Sequence, residues 1–162
     1  MKEVILVRHG KSSWDYQGVS DNDRPLSRRG IKDAGIVSGY LSQRIEEPAV
    51  IYSSTANRAL HTAMIFMGGL KIDPAKVKIS ETLYSFSGES VMEFIRNLDE
   101  NYDSVMIFGH NPGFTSISNT FGNKPIDNLP TSGVVKIKFE VSSWKQVNKG
   151  LTEIVVFPKL LY

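Results

Sequence analysis

Cysteine is absent from the 162 residues, and that absence removes several chemistries together. A disulfide framework, a thiolate zinc site and a cysteine nucleophile are all excluded, and an intracellular setting is the simpler expectation. Long apolar runs are missing too. The first, Val4-Ile5-Leu6-Val7, stops at Arg8. That is far short of a secretory core or the roughly 20 residues of a membrane span, so neither a signal peptide nor a membrane anchor is expected. Neither sign of charge dominates. With 19 lysines and arginines against 17 aspartates and glutamates the net charge is +2, and no basic block or aromatic-interleaved basic stripe marks a nucleic-acid surface. Repeats, low-complexity tracts and linkers are also lacking. The expectation is a cytoplasmic protein folded as one domain over residues 1–162, long enough to bury its own core without metal or disulfide support.

What is present is a recurring strand–helix unit. Val4 to Val7 form the continuous apolar run of a parallel strand covered on both faces, and it ends abruptly in Arg8-His9-Gly10. Open α/β sheets bind ligands beyond the carboxyl ends of their strands, which draws attention to these three residues. The stretch from Asp15 to Arg24 has no apolar period and reads as a surface loop. Ser27 suits the N-cap of a helix that turns Gly30, Ala34, Val37, Leu41 and Ile45 inward and stops before Pro48. Ala49 to Tyr52 repeats the strand. Ser53-Ser54-Thr55 then offer hydroxyl caps for a second helix that carries Ala59, Ala63, Phe66 and Leu70 inward, with Gly68-Gly69 as its stop. Val77 to Ile79 is a short strand, and a third helix is expected between Ser87 and Tyr102.

The pattern then returns to its beginning. Val105 to Phe108 is another buried strand, and it ends in Gly109-His110, with Asn111 suited to an N-cap and Pro112 to the first helical position. Further on, Val135, Ile137, Phe139 and Val141 alternate with Lys136, Lys138 and Glu140, as in an antiparallel strand near a sheet edge. Glu153 to Phe157 is the last strand, stopped by Pro158. The order predicts a three-layer α/β/α sandwich with a mostly parallel sheet and an antiparallel edge.

Arg8, His9, Arg58 and His110 each fall just after a predicted strand or in the next helix's first turn, so all four can meet along one sheet edge. Two guanidinium forks beside helix N-termini make a phosphate pocket, because planar donors match phosphoryl oxygens bidentately and stabilise charge that builds in the transition state. A cation in a helix's first turn opposes the dipole by about 0.3–1 kcal/mol, which Arg58 offsets if it faces an anion. With no cysteine and no carboxylate cluster to hold magnesium, a neutral imidazole is the natural nucleophile toward phosphorus.

At this point the residues carry a resemblance. Leu6-Val7-Arg8-His9-Gly10 resembles the signature of the histidine phosphatase superfamily, with its phosphoglycerate mutase-like fold. Ser53-Ser54, Arg58-Ala59, Thr62-Ala63 and Gly109-His110-Asn111-Pro112 match its later motifs in order. Lys11-Ser12-Ser13-Trp14, Asp23-Arg24-Pro25-Leu26 and Leu129-Pro130-Thr131 are similar to the SixA-type phosphohistidine phosphatases. The resemblance implies that His9 is the nucleophile, that Arg8, Arg58 and His110 bind the transferred phosphoryl group, and that Arg24 contacts substrate. It places Lys11, Ser12 and Asn111 along the pocket, although capping alone also explains Asn111. It further implies metal-independent hydrolysis without a cofactor, acting on phosphohistidine in a signalling protein. The alternatives are a broad-specificity phosphomonoesterase of small molecules and a non-catalytic phosphoprotein-binding module.

Two departures from the family pattern stand out. His61 replaces a glutamine found in many relatives, and lies either at the pocket rim, one turn from Arg58, or on the helix surface. The carboxylic acid that protonates ester leaving groups has no clear counterpart; Glu81 is the candidate general acid, with Glu89 as a second. The span from Leu70 to Ser104 is too short for a large cap, so an open pocket is expected. A metal site from His9, His61 and His110 is the lowest-ranked reading, because no metal-type spacing accompanies them.

Overall fold

Side chains alternate across a strand, and the first strand shows what that does to a continuous apolar run. In the computed structural model, which describes residues Met1–Tyr162, β1 (Lys2–Arg8) sends Val4 and Leu6 into one core and Ile5 and Val7 into another. Both cores are therefore organised around one strand. Five more strands complete a single sheet: β2 (Val50–Ser53), β3 (Val77–Ile79), β4 (Ser104–Gly109), β5 (Val134–Phe139) and β6 (Leu151–Val156), in the order β3-β2-β4-β1-β5-β6. β3, β2, β4 and β1 run parallel, while β5 is antiparallel to β1 and β6 to β5. Helices α1 (Arg28–Leu41) and α2 (Asn57–Leu70) cover one face, and α3 (Gly88–Arg96) and α4 (Gly113–Phe121) cover the other. This is the three-layer α/β/α sandwich expected, with its antiparallel edge.

Helix boundaries differ from the periodic pattern for local reasons. α1 stops at Leu41 rather than reaching Ile45, because Ser42 turns the chain and donates its hydroxyl to Gly39 O. α2 passes through Gly68-Gly69 and stops only at Lys71, which adopts the left-handed conformation at φ 58°. The second glycine serves packing instead, while a Cβ on Gly68 would meet open space. A Cβ on Gly69 would lie 2.2 Å from Ser38 Oγ of α1, so the bare backbone lets the two helices touch. The expected hydroxyl cap of α2 is also absent: Ala56 holds that position, and the Ser54 hydroxyl is engaged elsewhere. α3 ends at Arg96, where Asn97 folds its amide back onto Glu93 O, and so falls short of Tyr102. Pro112 rather than Asn111 precedes α4, yet Asn111 Oδ1 still accepts from Thr115 N in the first turn. β5 ends at Phe139 before Val141, and β6 starts at Leu151.

Two contacts lock the end of β1 against the helices. Gly30 in α1 approaches so closely that a Cβ there would lie 2.2 Å from Lys11 O. Thr62 in α2 is fully buried; its Oγ1 accepts from Gly10 N at 2.8 Å and donates to Arg58 O at 2.7 Å. Replacing Thr62 by valine keeps the shape and strands the Gly10 N–H without an acceptor. A buried donor left unpaired costs about 1–3 kcal/mol, so Thr62→Val is expected to lower the denaturant midpoint with an unchanged m-value. An unchanged midpoint would show that Thr62 does not pin this turn.

Candidate active site

Because β1 and β4 are adjacent and parallel, with Arg8 opposite Gly109, the residues that follow them emerge side by side. The His9 and His110 rings lie 5.1 Å apart between centroids. Arg58 enters from the first turn of α2, and its side chain is buried rather than solvated. Arg24, Lys11 and Ser12 come from the loop after β1, and Asn111 from the turn before α4. All eight line one open cleft of about 300 Å³, together with Trp14, Asp21, Phe86 and Thr131. The structure thus brings together the eight predicted catalytic and substrate-binding residues, while the candidate acids Glu81 and Glu89 and the candidate rim residue His61 lie outside the cleft.

The hydrogen bonds define which ring nitrogens are free. His9 Nδ1 sits 2.7 Å from Gly10 O, and a carbonyl only accepts, so Nδ1 carries the proton of the neutral ring and Nε2 keeps its lone pair. On His110 the partner is Ser54 Oγ, 2.8 Å from Nε2. Ser54 Oγ also accepts from Ala56 N, and with a second lone pair and its own hydrogen it can either accept from or donate to His110 Nε2. His110 Nδ1 is buried and has no partner in the protein, and neither has Arg8 Nε. Arg8 spends its Nη1 on Leu129 O at 2.9 Å. Arg8 Nε is thus a buried donor without an acceptor, which is rare in folded proteins and suits an anion from outside.

Burial and surrounding cations keep both histidines neutral. Desolvation is the larger cause for His9, with Arg58, Arg8 and Arg24 adding repulsion against the Gly10 hydrogen bond, and its pKa falls to about 4. Desolvation, then His9 and Arg58, bring His110 to about 3. The unprotonated, nucleophilic form of His9 therefore persists from neutrality down to about pH 4 and disappears below it. A ¹⁵N NMR titration of the phosphate-free protein is expected to show His9 changing state near pH 4; a midpoint near the ordinary 6.5 would mean the ring is far better solvated than its burial indicates.

Two cleft residues, Asp21 and Phe86, were invisible in the sequence. Asp21 lies in the short 3₁₀ turn Asp21–Asp23, inside the stretch read only as a surface loop. Its backbone carbonyl accepts from Arg58 Nη1 at 2.7 Å and its carboxylate from Arg58 Nη2 at 3.1 Å and Arg24 Nη1 at 3.2 Å. The Tyr84 hydroxyl donates to the same carboxylate, and the Tyr84 ring stacks on His110 at 5.4 Å. The Tyr84 hydrogen bond first, then those from Arg58 and Arg24, hold Asp21 at a pKa of about 2 against its partial burial. Asp21 is thus a carboxylate at neutral pH and has no proton to give. Arg24 is set from its other side as well, by Ser12 Oγ and by the ring of Trp14, an exposed indole 3.1 Å from the guanidinium carbon.

Glu81 must be corrected. Its 3₁₀ turn, Glu81–Leu83, directs Leu83 into the core and Tyr84 toward Asp21, which leaves Glu81 exposed and outside the cleft. Glu89 is also exposed and borders a different depression, beside Met92, Glu93 and Arg96. His61 is half-buried on α2 and does not line the cleft, so no three-histidine cluster forms.

Residues 4–87 match the Histidine phosphatase superfamily (branch 1). The chain belongs to that superfamily. Among relatives, the uncharacterized protein Rv1276c of Mycobacterium tuberculosis is 30% identical over 161 residues, which cover 93% of this chain and 98% of the relative. A solved candidate phosphohistidine phosphatase SixA from Agrobacterium tumefaciens is 28% identical, covering 84% of this chain and 90% of its own, with a TM-score of 0.72. The protein histidine phosphatase SixA complexed with tungstate shares 20% identity and a TM-score of 0.83 over 99% of both chains, a likeness of fold. This histidine phosphatase fold is thus the phosphoglycerate mutase-like one expected, and no helix in it is long and apolar enough to cross a membrane. Phosphatase chemistry on a phosphate-bearing substrate follows from the superfamily.

Proposed function

We propose that the protein removes phosphate from phosphohistidine, through a covalent phosphohistidine on His9 and without a metal ion. In this reading the substrate's imidazole carries a proton on its other ring nitrogen; His9 Nε2 attacks phosphorus, the P–N bond breaks, its electron pair returns to a neutral leaving imidazole, and the positive charge passes to the phosphorylated His9 ring, whose Nδ1 keeps its proton. Arg8, Arg58, His110 Nδ1–H and Arg24 hold the phosphoryl oxygens, while Lys11, Ser12 and Asn111 line the approach. Water then attacks the phosphoryl group on His9, releasing orthophosphate and the free imidazole.

The observation that carries the choice of substrate is the state of the cleft's acid. Asp21 is the carboxylate lining the cleft, and it is ionised and held by two arginines. Expelling an alkoxide from an ester needs a proton in the transition state, whereas exchange of phosphoryl between two imidazoles is nearly symmetric and needs little help. An open cleft with exposed Trp14 and Phe86 at its border also suits a side chain presented on a protein surface. Turnover of phosphohistidine peptides against sugar phosphates, nucleotides and phosphoserine peptides tests this, with chelator present and His9→Ala as control. The phosphohistidine peptide is expected to lead in kcat/KM. A phosphate ester turned over faster, or dependence on an added divalent metal, would overturn the assignment.

A further inference from the structure

A second groove, of about 280 Å³, opens beside the catalytic cleft and shares Thr131 with it. One wall is the first part of α1, with Arg29 and Asp33; the other is the C-terminal turn Pro158–Leu161, with Lys159. Pro130, Phe157 and Pro158 supply apolar surface between them, and Asn128 an exposed amide. The charge in this groove is unbalanced. Asp33 is 3% exposed, and its two oxygens are already taken, one by the Tyr162 hydroxyl and the other by Arg29 Nε at 3.5 Å. Arg29 remains well exposed, Lys159 is exposed, and Lys32 lies over the neighbouring Tyr162 ring at 5.4 Å. The groove is therefore net positive, partly apolar, and continuous with the site where phosphate is handled.

We infer that this groove receives the polypeptide flanking the phosphorylated side chain, and that it favours an acidic residue there. The inference rests on the phosphohistidine reading and names its substrate class as a phosphorylated protein segment. A free phosphorylated small molecule ends within the cleft and gains nothing from a groove beyond Thr131. A peptide continues past the reacting group, and its backbone and side chains meet apolar floor, amide and two cations in turn. The cations contribute binding that is the same before and during reaction, so their effect falls on KM rather than on kcat.

The test compares a phosphohistidine peptide with acidic flanks, the same peptide with neutral flanks, and free phosphohistidine. Lys159→Glu and Arg29→Ala are expected to raise KM for the acidic peptide by about fivefold each, the upper range for an exposed ion pair, while kcat holds and free phosphohistidine is unaffected. Lys159→Ala, which leaves the Arg29–Asp33 contact in place, guards against a folding effect of losing that contact. Equal KM for acidic and neutral peptides, or an equal loss on all three substrates, overturns the inference. Should none of the three be turned over, the phosphohistidine reading falls by itself. The groove is then read by NMR shifts of Asn128, Thr131 and Lys159 on adding the unphosphorylated acidic peptide, and shifts confined to other surfaces sink it.

Discussion

On the proposed mechanism His9→Ala is expected to abolish phosphate release, lowering kcat by about four orders of magnitude or more, because loss of a covalent nucleophile would leave only what positioning and charge supply. The geometry explains why nothing nearby can substitute. His110, the other imidazole in the cleft, has its Nε2 committed to Ser54, and in the proposed mechanism its Nδ1–H donates to a phosphoryl oxygen rather than attacking phosphorus. Asp21 is bound to two arginines and Tyr84. Rapid-quench labelling with a phosphohistidine substrate should capture an acid-labile, alkali-stable phosphoryl group on the unaltered protein and none on His9→Ala. His110→Ala should still be labelled, more slowly, since it loses a donor and keeps the nucleophile. Label that survives in His9→Ala would move the covalent step to another residue.

The parts of this site legible in the sequence are those attached to strand ends. Arg8, His9 and His110 follow runs of apolar residues so continuous that only a buried parallel strand fits them, and two such strands side by side fix where their next residues emerge. Arg58 was legible through the short strand–helix connection before it. The sandwich and its antiparallel edge followed from the same alternation of periods. Residues that act through side-chain reach were hidden. Asp21 lies in a loop without apolar period, and its meeting with Arg58 depends on how the chain between β1 and α1 folds back, which no local propensity encodes. Glu81 failed in the converse way. It was a candidate only as a carboxylate in the segment after α2, and the burial of Leu83 rotates the turn so that Tyr84 reaches Asp21 and Glu81 faces water. The Gly68-Gly69 pair misled because glycine is read as a helix stop unless a neighbouring helix needs the space, and the Ser38 that Gly69 meets lies on another helix, distant along the chain.

Arg58→Ala is expected to cost more than the loss of one hydrogen-bond donor, and Asp21 is the reason. Removing a single transition-state donor typically lowers kcat by about 10²–10³. Here the guanidinium also neutralises the Asp21 carboxylate, whose side chain is 48% exposed beside the cleft. Without Arg58 that negative charge is held by Arg24 and Tyr84 alone and faces an incoming phosphoryl dianion, so repulsion adds to the missing donation. A loss of about 10³ or greater in kcat/KM is the expected result. Lysine should not restore it, because a point charge cannot span the Asp21 carbonyl, its carboxylate and a phosphoryl oxygen as the planar fork does. The decisive comparison is the double variant. Asp21→Asn added to Arg58→Ala removes the stranded charge while keeping the side chain's size, and should recover about tenfold of the loss. Asp21→Asn alone should lower kcat, since Arg24 and Arg58 are less firmly held, without raising KM for an anionic substrate, since one negative charge has left the cleft. Additive losses in the double variant would mean that Asp21 and Arg58 act on the phosphoryl group independently, and the ion pair would then be packing rather than part of how the cleft meets its substrate.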